Sequence, residues 1–215
     1  GETLITGIGQ GYTQTTPLQL CQMTAQLANG GFKIYPKIVV EENSKTAEDI
    51  MVIMNENRKQ LNIKDSGLQE ATKLLGLKNK IEHVPLFKNS KNIKLIREAM
   101  FASTNEVRGT SYSSRIEDPK YQFAGKTGTS QVKRITKLDR ELDLKTFEIP
   151  YDERDHALYI AFGPYKNPRY AISIVIEHGG SGSSAAAPIA KKLFKLIVDR
   201  HKLREQARIK KITKA

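Results

Sequence analysis

The 215-residue chain has a single cysteine, Cys21, and no apolar run near the roughly 20 residues that a membrane-spanning helix needs. One cysteine excludes an internal disulfide and leaves the redox compartment open. The start of the chain has no signal-peptide pattern. Because the first residue is Gly1 rather than Met, we expect a piece of a longer protein. Hydrophobic residues make up 39% of the chain, which is enough for a core.

Acidic residues are scarce, since 23 Asp and Glu stand against 35 Lys and Arg. The excess is concentrated at the end, where residues 191–215 carry ten basic and two acidic side chains. A basic tail at 201–215 could attract nucleic acid, anionic lipid or acidic glycan. A solvated, frayed terminus is the simpler interpretation. The tail lacks interleaved aromatics and a nucleic-acid-binding motif, so no nucleic acid partner is expected.

Helical spacing and end signals predict a helix that begins at Pro17 with Thr16 as its N-cap. Asn29-Gly30-Gly31 should end it in a left-handed cap. A short strand, Phe32 to Val40, follows and is broken at Pro36. Residues 44–92 are polar, with a weak helical pattern around 68–77, and we interpret them as a surface insertion.

The second half of the chain alternates clear elements with irregular segments. A helix is expected over about 92–105. The charged stretch 133–155 has no clear periodicity, which is typical of a lid, a partner loop or disorder. Two strands follow at 156–162 and 170–177. The second is apolar on both faces, which is typical of a strand in the middle of a covered sheet. A last helix, capped by Ser183 or Ser184, carries an apolar stripe (Ala187, Ile189, Ala190, Leu193, Phe194, Ile197 and Val198).

The most informative stretch is Lys126-Thr127-Gly128-Thr129, inside a β-prone segment from Tyr121 to Val132. The lysine brings positive charge and the threonines bring hydroxyl hydrogen bonds. The glycine lets a ligand lie against the backbone. This pattern predicts a surface that binds an anion.

Three motifs occur here in one order and carry a family resemblance. They are the Gly7-Ile8-Gly9-Gln10-Gly11 loop with Thr16-Pro17, the Lys126-Thr127-Gly128-Thr129 strand, and the Glu177-His178-Gly179-Gly180 loop before a helix. Together they resemble the C-terminal part of a class B penicillin-binding protein transpeptidase domain. The segment Ala161-Phe162-Gly163-Pro164-Tyr165, Asn167-Pro168 and the spacing of the last two strands resemble the elongation-type peptidoglycan D,D-transpeptidases most. The resemblance covers about 1–43 and 93–200, and a domain over 1–200 is expected.

The resemblance implies roles for four residues. Lys126 would place positive charge in the active-site groove and help proton transfer, and the Thr127 and Thr129 hydroxyls would bind the substrate's terminal carboxylate. The Thr129 backbone N–H would form half of an oxyanion hole. Gly128 would leave room for the substrate. Lys126 and Thr129 are thus the catalytic candidates, and Lys126, Thr127, Gly128 and Thr129 are the substrate-binding candidates.

The family also implies a fold and a setting. The fold is α+β, an antiparallel sheet covered by helices on both faces, here incomplete. Its ligands are the D-Ala-D-Ala end of a peptidoglycan stem peptide and β-lactams, and its partners are membrane proteins of the elongation machinery. The family acts at the periplasmic face of the inner membrane. No cofactor is implied, and no histidine pair has metal-ligand spacing with a third ligand, so no metal site is expected.

Two motifs that should precede the lysine strand have only chance matches. Ser130-Gln131-Val132-Lys133 fits Ser-x-x-Lys, but it overlaps the strand of Lys126 and would put nucleophile and groove wall on one strand. Ser90-Lys91-Asn92 fits Ser-x-Asn, but it precedes a helix in the insertion. We therefore expect the nucleophilic serine to lie outside this chain and the chain alone to be inactive, since losing such a serine costs ~10⁶ in rate.

Other functions stay open at this point. A β-lactamase or D,D-carboxypeptidase would use the same chemistry with water as acceptor. A non-catalytic remnant or substrate-binding fragment would keep the groove without the reaction. Without an N-terminal strand beside it, the strand 170–177 would expose an apolar edge.

Overall fold

The computed structural model describes residues 1–7, 9, 11, 14–36, 85–133, 141, 142 and 144–212. The chain divides into two compact units, Gly1–Ile34 with Pro85–His201, and Tyr35–Val84 with Lys202–Ala215. In the second unit only Tyr35, Pro36 and 202–212 are described. The weak helical pattern at 68–77 and the end of the expected strand at 37–40 lie outside the described residues.

Four α-helices are described, α1 (Glu2–Gly7), α2 (Pro17–Ala28), α3 (Ser90–Asn105) and α4 (Ala187–Ile212). The start of α2 is as predicted, because Thr16 Oγ1 accepts from the Gln19 N–H at 3.2 Å. Gln19 Oε1 in turn accepts from the Thr16 N–H at 2.8 Å, which completes a capping box. Gly30 and Gly31 follow α2 at φ 98° and 94°, the left-handed ending that the sequence predicts.

The described strands form one antiparallel sheet in the order β1 (Ala124–Ser130), β2 (His156–Gly163), β3 (Tyr170–Ile176). Its register sets Lys126 opposite Ile160 and Thr127 opposite Tyr159. The three strands agree with the predicted segments to within a few residues.

Each face of the sheet has its own core. On one face Leu27 of α2 and Ile93 and Met100 of α3 pack with Ala124 and Phe162. On the other face the apolar stripe of α4 packs with Phe123, Tyr159 and the β3 isoleucines, and the Phe123 and Phe194 rings stack at 4.8 Å (the cluster contains Ile116, Phe123, Ala157, Tyr159, Ala161, Ala186, Ala187, Ala190 and Phe194). The predicted α+β fold, with helices on both faces of an antiparallel sheet, is confirmed.

Three local predictions were wrong. The strand predicted from Phe32 is not formed over residues 32–36, where Phe32 makes only an isolated bridge to Pro85. The serines Ser183 and Ser184 do not cap α4, because a π-helical turn, Gly182–Ala186, precedes it. Ser90 begins α3 rather than preceding it, with Asn89 as the N-cap.

The basic tail is helical as far as the structure describes it, because α4 continues to Ile212 without a break at 200. The interpretation of residues 201–212 as a frayed terminus was therefore wrong in its conformation. No helix in the described part of the chain is both long and apolar enough to span a bilayer.

Candidate active site

The predicted site residues lie on β1, at an edge of the described sheet. Lys126 and Thr129 are exposed, and Thr127 and Gly128 are half-buried. The Lys126 ammonium donates to the Thr127 carbonyl at 2.8 Å and lies 3.4 Å from the Thr127 hydroxyl. The structure therefore places charge, hydroxyls and glycine together on one accessible edge.

The hydrogen-bonding pattern of β1 determines which backbone groups face outward. The Gly125 N–H donates to Thr104 Oγ1 at 3.0 Å, away from β2. In an antiparallel pair the groups on one side of a strand belong to every second residue. The N–H groups of Thr127 and Thr129 therefore point to the same open edge, where they can donate to a ligand.

A buried cluster of three hydroxyls supports this edge. Tyr159 OH lies 2.9 Å from Thr104 Oγ1 and 3.0 Å from Ser111 Oγ. The Tyr159 ring passes over Gly125, where an added Cβ would collide with it. Burial raises the pKa of Tyr159, while the hydrogen bonds to Ser111 and Thr104 oppose this in part. The tyrosine thus links β2 to Thr104 of α3 and to Ser111.

The last helical segment also approaches β1. A Cβ added at Gly182 would come within 2.7 Å of the Gly128 carbonyl oxygen. Only glycine lets the backbone at 182 come this close, and this contact supports the strand at its site glycine. The sequence did not indicate this role for Gly182.

A cavity of about 550 Å³ opens beside Lys126 between α3 and β1. Its walls are apolar at Leu27, Ile96 and Met100 and polar at Ser103 and Thr110. Concave, mainly apolar space with a few convergent polar groups is typical of a ligand site.

The two chance matches to serine motifs lie apart from this arrangement. Ser130 ends the strand that carries Lys126, four residues away, which corresponds to about 13 Å along an extended strand. Ser90 lies at the other end of α3 from the cavity-lining Ser103. A third match, Ser103-Thr104-Asn105, was missed in the sequence. Its Asn105 amide donates to the Phe101 and Phe123 carbonyls, each at 3.0 Å, and so serves the packing of α3.

The histidines at the strand ends form a structural pair. The His178 N–H donates to His156 Nδ1 at 3.0 Å, and the two rings lie 4.8 Å apart. Among the described residues, no group of three or more His, Cys, Asp or Glu side chains could hold a metal ion. Cys21 is half-buried, its thiol donates to the Ala171 carbonyl at 3.3 Å, and burial raises its pKa.

Comparisons with known proteins identify the family of the chain. Residues 1–195 match the model of the penicillin binding protein transpeptidase domain. The chain is 34% identical over 200 residues to peptidoglycan D,D-transpeptidase MrdA of Salmonella typhimurium, covering 93% of this chain and 27% of the relative. The Escherichia coli K12 MrdA is 28% identical over 201 residues, covering 93% of this chain and 26% of the relative.

Two solved structures have a similar fold. Pseudomonas aeruginosa PBP2 in complex with WCK 5153 matches with a TM-score of 0.57 and 29% identity, over 91% of this chain and 33% of that one. Helicobacter pylori PBP2 in complex with MreC matches with a TM-score of 0.59 and 27% identity, over 92% and 27%. The chain spans about a quarter of the curated relatives' length. It belongs to the penicillin-binding protein transpeptidase family and corresponds to a part of that domain.

Proposed function

We propose that this chain forms the carboxylate-binding and oxyanion-binding wall of a peptidoglycan D,D-transpeptidase. The observation that carries the proposal is the open edge of β1. This edge carries the Lys126 ammonium, the Thr127 and Thr129 hydroxyls and two outward N–H groups. Lys126 also lines a cavity of about 550 Å³. We propose that the nucleophilic serine comes from a part of the protein outside these 215 residues.

In this mechanism the terminal carboxylate of a D-Ala-D-Ala stem peptide binds along β1. It accepts hydrogen bonds from the Thr127 and Thr129 hydroxyls and lies close to the positive charge of Lys126. Hydrogen bonds to a charged carboxylate are stronger than those between neutral groups. Gly128 carries no side chain that would block the peptide. The bound peptide then lies parallel to the strand, with its scissile carbonyl at the open edge.

The serine oxygen attacks that carbonyl and its proton passes to a neighbouring base. The Thr129 N–H donates to the resulting oxyanion, and losing one such donor costs about 10²–10³ in rate. Collapse expels the terminal D-alanine, whose amine takes up a proton, and leaves an acyl-serine. The amine of a second stem peptide then attacks the acyl-serine, which forms the cross-link and frees the serine. A β-lactam enters by the same first step and stays attached.

The test uses the full-length protein that contains this chain and a fluorescent penicillin. We expect Lys126→Ala to lower the acylation rate constant by at least about 10²-fold, as for other preorganised electrostatic groups. Lys195→Ala, an exposed lysine on α4, is the matched control and should leave the rate unchanged. Equal rates in both variants would remove Lys126 from the mechanism.

We further propose that the full-length protein acts at the periplasmic face of the inner membrane with a membrane protein of the elongation machinery. The support is the solved complex of a PBP2 relative with MreC. Titration of the full-length protein with MreC from the same organism tests this. Binding no tighter than that of an unrelated membrane protein would remove the proposal.

A further inference from the structure

A short loop after α3 lies against both the end of that helix and β1. It consists of Gly109, Thr110 and Ser111. A Cβ at Gly109 would collide with the backbone oxygen of Ser103, so the loop needs glycine there. The Ser111 N–H and its hydroxyl both donate to that same oxygen, each at 3.0 Å. These contacts hold Thr110 between α3 and the lysine strand.

Three hydroxyls form a line that ends at the proposed carboxylate site. Ser103 Oγ lies 3.2 Å from Thr110 Oγ1, and Thr110 Oγ1 lies 3.2 Å from Thr127 Oγ1. Thr110 is therefore the link between a helix residue and the hydroxyl that we assign to carboxylate binding. Its side chain is exposed, so the line runs along the wall of the groove rather than through the core.

In each of these pairs either oxygen can donate, and one direction of donation leaves a donor for a ligand. A hydroxyl has one proton to donate and two lone pairs to accept with, whereas a lysine ammonium only donates. Lys126 Nζ approaches Thr127 Oγ1 at 3.4 Å and occupies one lone pair. When Thr110 donates to the other lone pair, the single Thr127 proton has no partner within the line. A carboxylate, which only accepts, is the ligand that completes this arrangement.

We infer that Thr110 is a positioning residue that fixes the Thr127 hydroxyl as a donor toward an anionic ligand. This inference rests on the proposed function, because it needs a carboxylate bound at β1. The polarity runs from Ser103 to Thr110 to Thr127 to the ligand. Without the Thr110 hydroxyl, the Thr127 hydroxyl can rotate toward other acceptors, including carbonyl groups of its own strand. Its preference for an anionic ligand then falls.

The test compares two reagents in the full-length protein, a penicillin and the methyl ester of the same penicillin. Both present the same β-lactam to the serine, but only the free acid has the anion. The readout is a ratio, the second-order acylation rate constant of the free acid divided by that of the methyl ester. Thr110→Val keeps the shape and removes the hydroxyl, and we expect it to lower the ratio by about threefold to tenfold, the range of one neutral hydrogen bond. Thr110→Ser keeps the hydroxyl and should retain the ratio within about twofold.

The possible outcomes distinguish a positioning role of Thr110 from a purely structural role and from failure of the proposed function. A ratio unchanged in Thr110→Val overturns the inference, whether both reagents react normally or both slow equally, because a purely structural role affects them alike. Loss of the ratio in both Thr110 variants also contradicts it. If the unaltered protein reacts with neither reagent, the proposed function fails and this inference fails with it.

Discussion

The two edges of the described sheet are chemically different. The β1 edge carries Lys126 and two threonines, and a buried hydroxyl cluster holds its Gly125 N–H. The β3 edge is apolar, with Ile172, Ile174 and Ile176 packed toward α4. Among the described residues β2 is the only strand that pairs with β3.

The difference shows how the same open backbone can serve two purposes. At β1, hydroxyls of α3 and its loop pair with some of the hydrogen-bonding groups of the open edge. The other groups of that edge stay accessible. An apolar strand with open pairing groups favours another strand instead. The β1 edge thus carries the groups of the proposed ligand site, whereas the β3 edge is suited to strand pairing, and four predictions test this separation.

The largest expected effect on the free energy of unfolding comes from the core that packs beneath both edges of the sheet. Phe194 is fully buried and stacks on Phe123 beneath the sheet. We expect Phe194→Ala to lower the free energy of unfolding by about 3–5 kcal/mol, measured by urea denaturation of the full-length protein. Leu196→Ala, on the same helix with a 55% exposed side chain, is the control and should change it by less than about 0.5 kcal/mol. Similar losses in both variants would contradict the assigned core.

Removing the Tyr159 hydroxyl should weaken the β1 edge selectively. Tyr159→Phe removes two buried hydrogen bonds, to Thr104 and to Ser111, and at about 0.5–1.5 kcal/mol each this should cost about 1–3 kcal/mol. The substitution should accelerate hydrogen exchange more at the Gly125 amide than at the amides of β3. Equal acceleration at both edges would show that the hydroxyl cluster does not distinguish them.

The same tyrosine predicts a pH dependence. Burial raises the pKa of Tyr159 in the folded state. An unfolded tyrosine loses its proton near pH 10, so above that pH the unfolded chain binds fewer protons than the folded one. The contribution of Tyr159 is fully present below about pH 10 and is lost as the pH rises through the folded-state pKa. Urea midpoints between pH 8 and 11 should fall more steeply for the unaltered protein than for Tyr159→Phe, and parallel curves would refute this.

The smallest effect on stability is expected at β3. Val175 is 36% exposed, so Val175→Lys should change the free energy of unfolding by no more than about 0.5 kcal/mol. A charge on an edge strand discourages pairing with other chains. Light scattering of the 215-residue chain should therefore show less self-association in this variant than in Leu196→Lys. If both variants associate like the unaltered chain, β3 is not the edge through which the chains self-associate.

Local signals explain what the sequence could predict. Thr16 and Pro17 mark the start of α2 by their own chemistry, and the alternating residues around Lys126 indicate a strand. The Lys126-Thr127-Gly128-Thr129 motif predicts a site on one strand because its four members are adjacent in the chain, and all four lie on β1.

Contacts between distant residues explain what the sequence could not predict. Tyr159 meets Thr104 and Ser111 across separations of 55 and 48 residues, and hydroxyl residues have no periodicity that marks such a cluster. Gly182 matters because the backbones of β1 and β2 pass beside it, at Gly128 and Leu158. The strand predicted from Phe32 was wrong over residues 32–36, because β-prone residues in a short segment do not show whether a partner strand lies beside them.

The central claim is that β1 is one wall of a site whose nucleophile lies elsewhere in the protein. Mass spectrometry after incubation with benzylpenicillin tests it most directly, on the full-length protein and on the 215-residue chain. We predict one penicilloyl group on a serine outside residues 1–215 in the full-length protein, and none on the chain alone. A penicilloyl group on any serine of the chain, Ser130 or Ser103 included, would contradict the claim.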